Sequence, residues 1–207
     1  MDYLQIADEV AQKIWSYNQD DSGWKLAKNS VRIRHYLQWN FEILDRYRGE
    51  GIIEDTPEKI IPFMYLPEYR NKWDTAVKSY IFLERIDQDT VIFHTITHSY
   101  GLGLISSRDF VDLINVKRYE GGIVTTNCNC SVDYLKCPPS PSHVAWTQQP
   151  CEYICSPLPE TSGHSKLVVF IQPDLGGKLP RSVVEFAIPN NIVNLINDTR
   201  TGIKAMC

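Results

Sequence analysis

The chain has 207 residues, 43% of them hydrophobic and 22% charged, with a formal net charge of −4. This is apolar material for one sizeable core and too ordinary a composition for a disordered segment. The acidic balance excludes a broad basic footprint, so no nucleic-acid partner is expected.

The opening MDYLQIADEVAQKIWSYN places Leu4, Ile6, Ala7, Val10, Ala11, Ile14 and Trp15 at helical spacing among acids. It predicts an amphipathic helix from about Asp2 to Tyr17, not a secretory signal. NQDDSG stops that helix, and short extended segments follow at 24–28, 31–37 and 47–53. Thr56-Pro57-Glu58 reads as a helix start, with Thr56 as cap and Pro57 in the first turn. Pro62 and Pro67 keep the helical pieces between 57 and 72 short. From Val77 the pattern changes to long strands: VKSYIFLERI, TVIFHTITHSY, RDFVDLINVKRY and, beyond the Gly121-Gly122 turn, GGIVTTNCNCSV. A Pro-rich CPPSPS leads to HVAWTQQPCEYICSPL and to a final strand SKLVVFIQPDL, and the last helix spans roughly 181–204. Helix, long antiparallel meander, helix, with no internal repeat or linker, predicts one α+β domain over 1–207. The longest apolar run, LVVFI at 167–171, is far short of the ~20 residues of a membrane span. A monomeric, cytoplasmic protein is expected.

One strand resists simple reading. Alternation in RDFVDLINVKRY puts Arg108, Phe110, Asp112, Ile114 and Val116 on one face and Asp109, Val111, Leu113, Asn115 and Lys117 on the other. A half-buried strand shows one apolar and one polar face, yet both faces here mix charge with apolar bulk. In the last helix Val184, Ile188, Ile192, Leu195 and Thr199 form a stripe interrupted by Pro189. That stripe fits plain core packing, and equally a lid over a cavity, which Pro189 and Gly202 would help to bend.

Six cysteines, Cys128, Cys130, Cys137, Cys151, Cys155 and Cys207, have no common zinc spacing and read as reduced thiols. There is no G-x-S-x-G, no H-E-x-x-H and no phosphate-cradling glycine loop, so neither catalysis, a cofactor nor a metal is expected. His94, His98 and His143 are the bases an enzyme would use, but His94 should point away from the face of Phe93 and Thr95.

A series of stretches in fixed order covers nearly the whole chain: Ser22-Gly23-Trp24-Lys25, Tyr47-Arg48-Gly49-Glu50-Gly51-Ile52, Arg70-Asn71-Lys72-Trp73-Asp74, Ile105-Ser106-Ser107-Arg108-Asp109-Phe110-Val111-Asp112 and Lys117-Arg118-Tyr119-Glu120-Gly121. Pro150-Cys151, Cys155-Ser156-Pro157-Leu158 and Asp174-Leu175 through Lys178-Leu179-Pro180 continue it. In these the chain resembles the START (StAR-related lipid transfer) domain family, most of all its short stand-alone members. The resemblance implies a helix-grip fold, a curved antiparallel sheet around a long C-terminal helix with an internal lipid tunnel. It also implies non-enzymatic transfer of a sterol or related lipid between membranes, with peripheral and transient membrane contact. The chain departs from the family at Ser107, usually proline, at 145–149, and at Glu152, usually glycine; residues 35–45 match poorly.

Cholesterol-carrying members hold an acid and an arginine on neighbouring tunnel strands, and the matching positions here are Thr95 and Ile114. The expected substitute is Arg70 paired with Asp112, offering hydrogen bonds to a ligand hydroxyl or carboxylate. Phe93, Thr95, Phe110 and Ile114 are the expected sheet wall, with Val184, Ile188, Ile192 and Leu195 opposite them on the helix. Leu102, flanked by Gly101 and Gly103, and Leu104 in the loop 99–105 are expected to close the tunnel mouth. Arg108 and Asp109 are expected to fix that loop, and Lys178 and Arg181 to touch anionic headgroups.

Overall fold

The computed structural model describes residues 2–20, 22–30, 33–38, 46–99, 106–137, 144–145, 151–172 and 180–206, of which 27–30, 33–38, 127–131, 144–145 and 181 are described in backbone only. Helix α1 (Tyr3–Gln19) is capped by Asp2, whose carboxylate accepts from the Gln5 N–H at 3.1 Å. It fills one of the four donors that a helix start leaves open. Strands β1 (Trp24–Ser30), β2 (Ile33–Gln38) and β3 (Arg46–Ile53) follow, then α2 (Pro57–Tyr65) and α3 (Pro67–Trp73). Pro67 ends α2 because the residue before a proline is pushed out of helical geometry, and Leu66 is extended accordingly. Thr56 stands at the cap of α2, but its hydroxyl makes no capping bond; its carbonyl accepts from Lys59 and Ile60 instead.

Strands β4 (Val77–Arg85), β5 (Thr90–Thr97), β6 (Arg108–Tyr119) and β7 (Ile123–Ser131) are joined as an antiparallel meander. Gly121 and Gly122 make the tight β6–β7 turn with φ of 75° each, a conformation in which a side chain is strained. Short β8 (Val144–Ala145) lies parallel to the start of β6, and β9 (Cys151–Pro157) and β10 (Ser165–Ile171) return the chain to β3. The curved sheet runs in the order β1-β2-β3-β10-β9-β7-β6-β5-β4, antiparallel apart from β8. Helix α4 (Arg181–Met206) continues through Pro189 and reaches two residues beyond the predicted end.

Helices cover both faces of the central sheet, and this resolves the mixed strands. On β9 and β10, Ile154, Val168 and Phe170 pack against Val10 and Ile14 of α1. The residues between them, Tyr153, Cys155, Leu167 and Val169, pack against Ile188, Ile192 and Ile196 of α4. Each such isoleucine contributes about 1.5–3 kcal/mol by leaving water. The approach of α4 depends on Gly49 in β3, where a Cβ would lie 2.1 Å from Ile192 Cγ2. At its other end Gly202 of α4 sits against Phe63 and Trp73 of the α2–α3 corner. A fork from Arg200 to the Ile52 carbonyl, at 3.1 and 2.9 Å, ties the same half of α4 to β3.

Candidate functional site

The face of the sheet that α4 crosses carries a polar centre inside apolar walls. Its first component is Arg70 on α3. The turn spacing of a helix brings Asp74 within reach four residues on, and Arg70 Nε meets Asp74 Oδ2 at 3.0 Å with the side chains 13% and 5% exposed. Among the described residues the carboxylate partner of Arg70 is therefore Asp74, not the expected Asp112. A neighbour four residues along the same helix needs no tertiary alignment, whereas Asp112 lies on a strand three positions into the sheet. The guanidinium also lies over the Tyr80 ring, 4.7 Å from its centroid. Burial opposes the charge on Arg70, but Tyr153, Asp74 and Tyr80 together outweigh it and raise its pKa.

Strand register supplies the second component. Tyr80 of β4 is opposite Thr95 of β5, Phe93 is opposite Asp112 of β6, and Thr95 is opposite Phe110. Side chains of cross-strand partners share a face. Tyr80 and Phe93 stack with centroids 4.6 Å apart. Tyr153 of β9 completes the group, its hydroxyl pushed up to about 12 by burial, against the pull of Arg70. Burial also raises the Tyr80 hydroxyl, with Arg70 opposing and Asp112 reinforcing the shift. Cys151, beside Gln172 and Asp112, is pushed up to about 12 by burial and stays a neutral thiol.

Two hydroxyls in this region are buried without a hydrogen-bond partner among the described residues. Thr95 Oγ1 is one. Tyr80 Oη is the other; it feels the Arg70 guanidinium but makes no well-directed bond to it. Buried polar atoms in native proteins are almost always paired, so an orphan calls for a missing partner or a cost of about 1–3 kcal/mol.

The predicted wall residues fall as follows. Phe93, Thr95, Phe110, Asp112 and Ile114 are buried on the alternating positions that share a face with Tyr80. On α4, Ile188 and Ile192 are buried, and Val184 and Leu195 are partly buried against the same cluster. Leu102, Leu104, His143, Lys178 and the Arg181 side chain lie outside the described residues, as do the thiols of Cys128, Cys130 and Cys207. Arg108 donates to the Ser106 carbonyl at 3.2 Å, and its N–H bonds Thr97 Oγ1 at 3.0 Å, holding the strand ends where β5 leaves and β6 returns. His94 points to the opposite face, where Nε2 meets Asp109 Oδ1 at 2.5 Å. Sequence reasoning missed Asp74, Tyr80 and Tyr153. Asp74 was signalled by its spacing from Arg70, and Tyr153 by its alternation with Cys151 and Cys155. Tyr80, in a strand with aromatic and aliphatic residues on both faces, carried no signal.

Among the described residues no His, Cys, Asp and Glu cluster could hold a metal ion, and no helix is long and apolar enough to cross a membrane. The arrangement suits retention of an apolar body with one or two hydrogen-bonding groups.

The START domain family profile matches residues 5–207. The chain is 42% identical to human StAR-related lipid transfer protein 6 over 206 residues, covering 99% of this chain and 93% of that protein. It is 34% identical to bovine StAR-related lipid transfer protein 5, covering 97% and 95%. The solved structure of human StAR-related lipid transfer protein 5 superposes with a TM-score of 0.90 at 33% identity, over 99% of this chain and 97% of that one.

Proposed function

The chain belongs to the START domain family, and from that premise we propose that it is a non-enzymatic carrier that holds one sterol-like lipid between the sheet and α4 and moves it between membranes. The observation that carries this reading is the buried polar centre of Arg70, Asp74, Tyr80 and Tyr153 set among apolar walls, with the Thr95 and Tyr80 hydroxyls lacking partners among the described residues. A sterol is hydrocarbon with a single hydroxyl, and a binding pocket for it needs apolar walls and a few convergent polar groups. Phe93, Phe110, Ile114, Val184, Ile188, Ile192 and Leu195 are the proposed walls; Arg70, Thr95 and Asp112 are the proposed polar contacts. A ligand of somewhat under ~30 heavy atoms at about −0.3 kcal/mol per atom gives roughly −8 kcal/mol. The dissociation constant is then near micromolar, tight enough to extract a lipid and loose enough to release it.

Equilibrium binding of a fluorescent sterol tests this, competed with cholesterol, an oxysterol and a bile acid. The variant is Arg70→Leu/Asp74→Asn, which removes both charges and leaves neither ion buried alone. Saturable one-to-one binding by wild type, weakened about tenfold in a correctly folded variant, is expected. No binding by a folded wild type defeats the sterol assignment, and equal affinity in the variant defeats the polar anchor. Movement of the sterol from donor to acceptor liposomes separates a carrier from a sensing module that binds and retains its ligand.

A further inference from the structure

A cleft of about 210 Å³, open to solvent on one side, separates the α2–α3 corner from the β4–β5 hairpin. Tyr65, Phe82, Arg85, Asp89, Val91 and Phe93 are among the residues that line it. Phe82 is 45% exposed, a large apolar face left in water on a strand at the edge of the sheet. Its ring meets Phe93 edge-on, with centroids 5.8 Å apart.

Charge at this cleft is unevenly satisfied. Asp89 is neutralised by Arg118 at 2.9 Å. Arg85 donates to the Gln88 carbonyl at 3.1 Å, and no carboxylate pairs with it among the described residues. The Tyr65 hydroxyl, lifted first by burial, is next pulled down by Arg118 and Arg85, ahead of the opposing Asp89 and Glu68. An apolar wall, an arginine with no carboxylate partner among the described residues and a tyrosine thus line one cleft.

We propose that this cleft is a second ligand site, taking a small amphiphilic anion whose carboxylate or sulfate binds Arg85 and the Tyr65 hydroxyl while its hydrocarbon covers Phe82 and Val91. The site borders the proposed sterol position, with which it shares Phe93. Arginine presents the fork that a carboxylate or sulfate accepts, and the exposed phenyl ring is the surface its tail removes from water.

The test is calorimetric titration of sterol-loaded protein with dodecanoate below its micelle concentration, with dodecylammonium as the charge control. Saturable binding is expected without release of sterol. Arg85→Ala and Phe82→Ala should each weaken it by roughly fivefold, and added salt should weaken it further, as befits one exposed charge contact and one exposed ring. Both residues are exposed, so these variants should fold. Sterol displacement with affinity unchanged in Arg85→Ala would show that dodecanoate enters the sterol position, which overturns the second site. Tighter binding of dodecylammonium would assign the cleft to Glu68 and a cation, which also overturns it. If the protein takes up no sterol, the same variants titrated without sterol still decide the cleft, so its failure is distinct from that of the carrier reading.

Discussion

Adding one methyl group at Gly49 should loosen the grip of the sheet on α4. The Cβ of an alanine there would lie 2.1 Å from Ile192 Cγ2 and 3.5 Å from Ile196 Cδ1. Apolar carbons rest at about 3.5–4.0 Å, so the first contact is short by roughly 1.5 Å. Ile192 is fully buried and β-branched, so it has no free rotamer into which to retreat. Overpacking of this kind costs about 1–3 kcal/mol. Glycine to alanine at an unclashed position would instead stabilise by about 0.4–1 kcal/mol through the unfolded chain. The net expectation for Gly49→Ala is a loss of about 1–2 kcal/mol, the clash outweighing the entropy. Ile192→Ala removes the clashing carbon, at its own cost of about 2–5 kcal/mol. On that background Gly49→Ala should become neutral or stabilising, a coupling of about 1–3 kcal/mol. Urea unfolding of the four proteins measures the cycle. A higher midpoint for Gly49→Ala alone, or costs that add within about 0.5 kcal/mol, would refute contact between these two residues as the reason for the glycine.

Three further outcomes are expected. Asp74→Ala should cost about 3 kcal/mol, because it leaves the Arg70 guanidinium buried without its counter-charge, whereas the double change that also replaces Arg70 should recover most of that loss; equal midpoints for the single and double variants would exclude the ion pair as the cause. Thr95→Val should raise the melting temperature of the ligand-free protein by removing an orphan buried hydroxyl worth about 1 kcal/mol, while weakening hydroxylated ligands; a lower melting temperature would mean that the hydroxyl is satisfied. Glu152 is 1% exposed, and burial raises its carboxyl well above the usual 4.5, against smaller pulls from Thr125 and Lys117. Above pH 4.5 the folded protein therefore holds a proton that the unfolded chain releases. Stability falls as pH climbs, at up to about 1.4 kcal/mol per unit until the folded-state pKa is passed. Glu152→Gln should remove this slope from urea midpoints taken across pH 5 to 8, and parallel profiles for the two proteins would contradict the assignment.

The order of elements was legible because the apolar period switches plainly: helical spacing before Tyr17, then alternation from Val77 onward, then helical spacing again after Arg181. The tilt of the reading was wrong where local geometry competed with a distant partner. Arg70 and Asp74 are four apart along a helix, a spacing that brings side chains together, yet the expected partner lay on a strand. Inner and outer positions on β9 and β10 were illegible for a different reason. With α1 on one face and α4 on the other, Ile154 and Cys155 are equally buried, and alternation loses its contrast. The candidate site has no local motif, since Arg70, Tyr80, Thr95, Asp112 and Tyr153 come from five separate elements, one helix and four strands.

The mixed strand β6 is the sharpest case, because both of its faces are covered and each meets its polar groups differently. Beneath α1, Asn115 donates to Thr90 at 2.8 Å, Asp109 meets His94, and Lys117 bonds Asp8 of the helix itself. Glu152, in the next strand but one on that face, has one oxygen without a partner among the described residues, and a retained proton relieves its cost. Facing α4, no such relief is open to Thr95. A threonine hydroxyl does not titrate in any accessible range, so its cost persists until it gains a hydrogen-bonding partner. A carboxyl can be buried for structure alone by staying neutral. A buried hydroxyl with no partner among the described residues has no such recourse, and on the carrier reading proposed above a ligand supplies the missing bond.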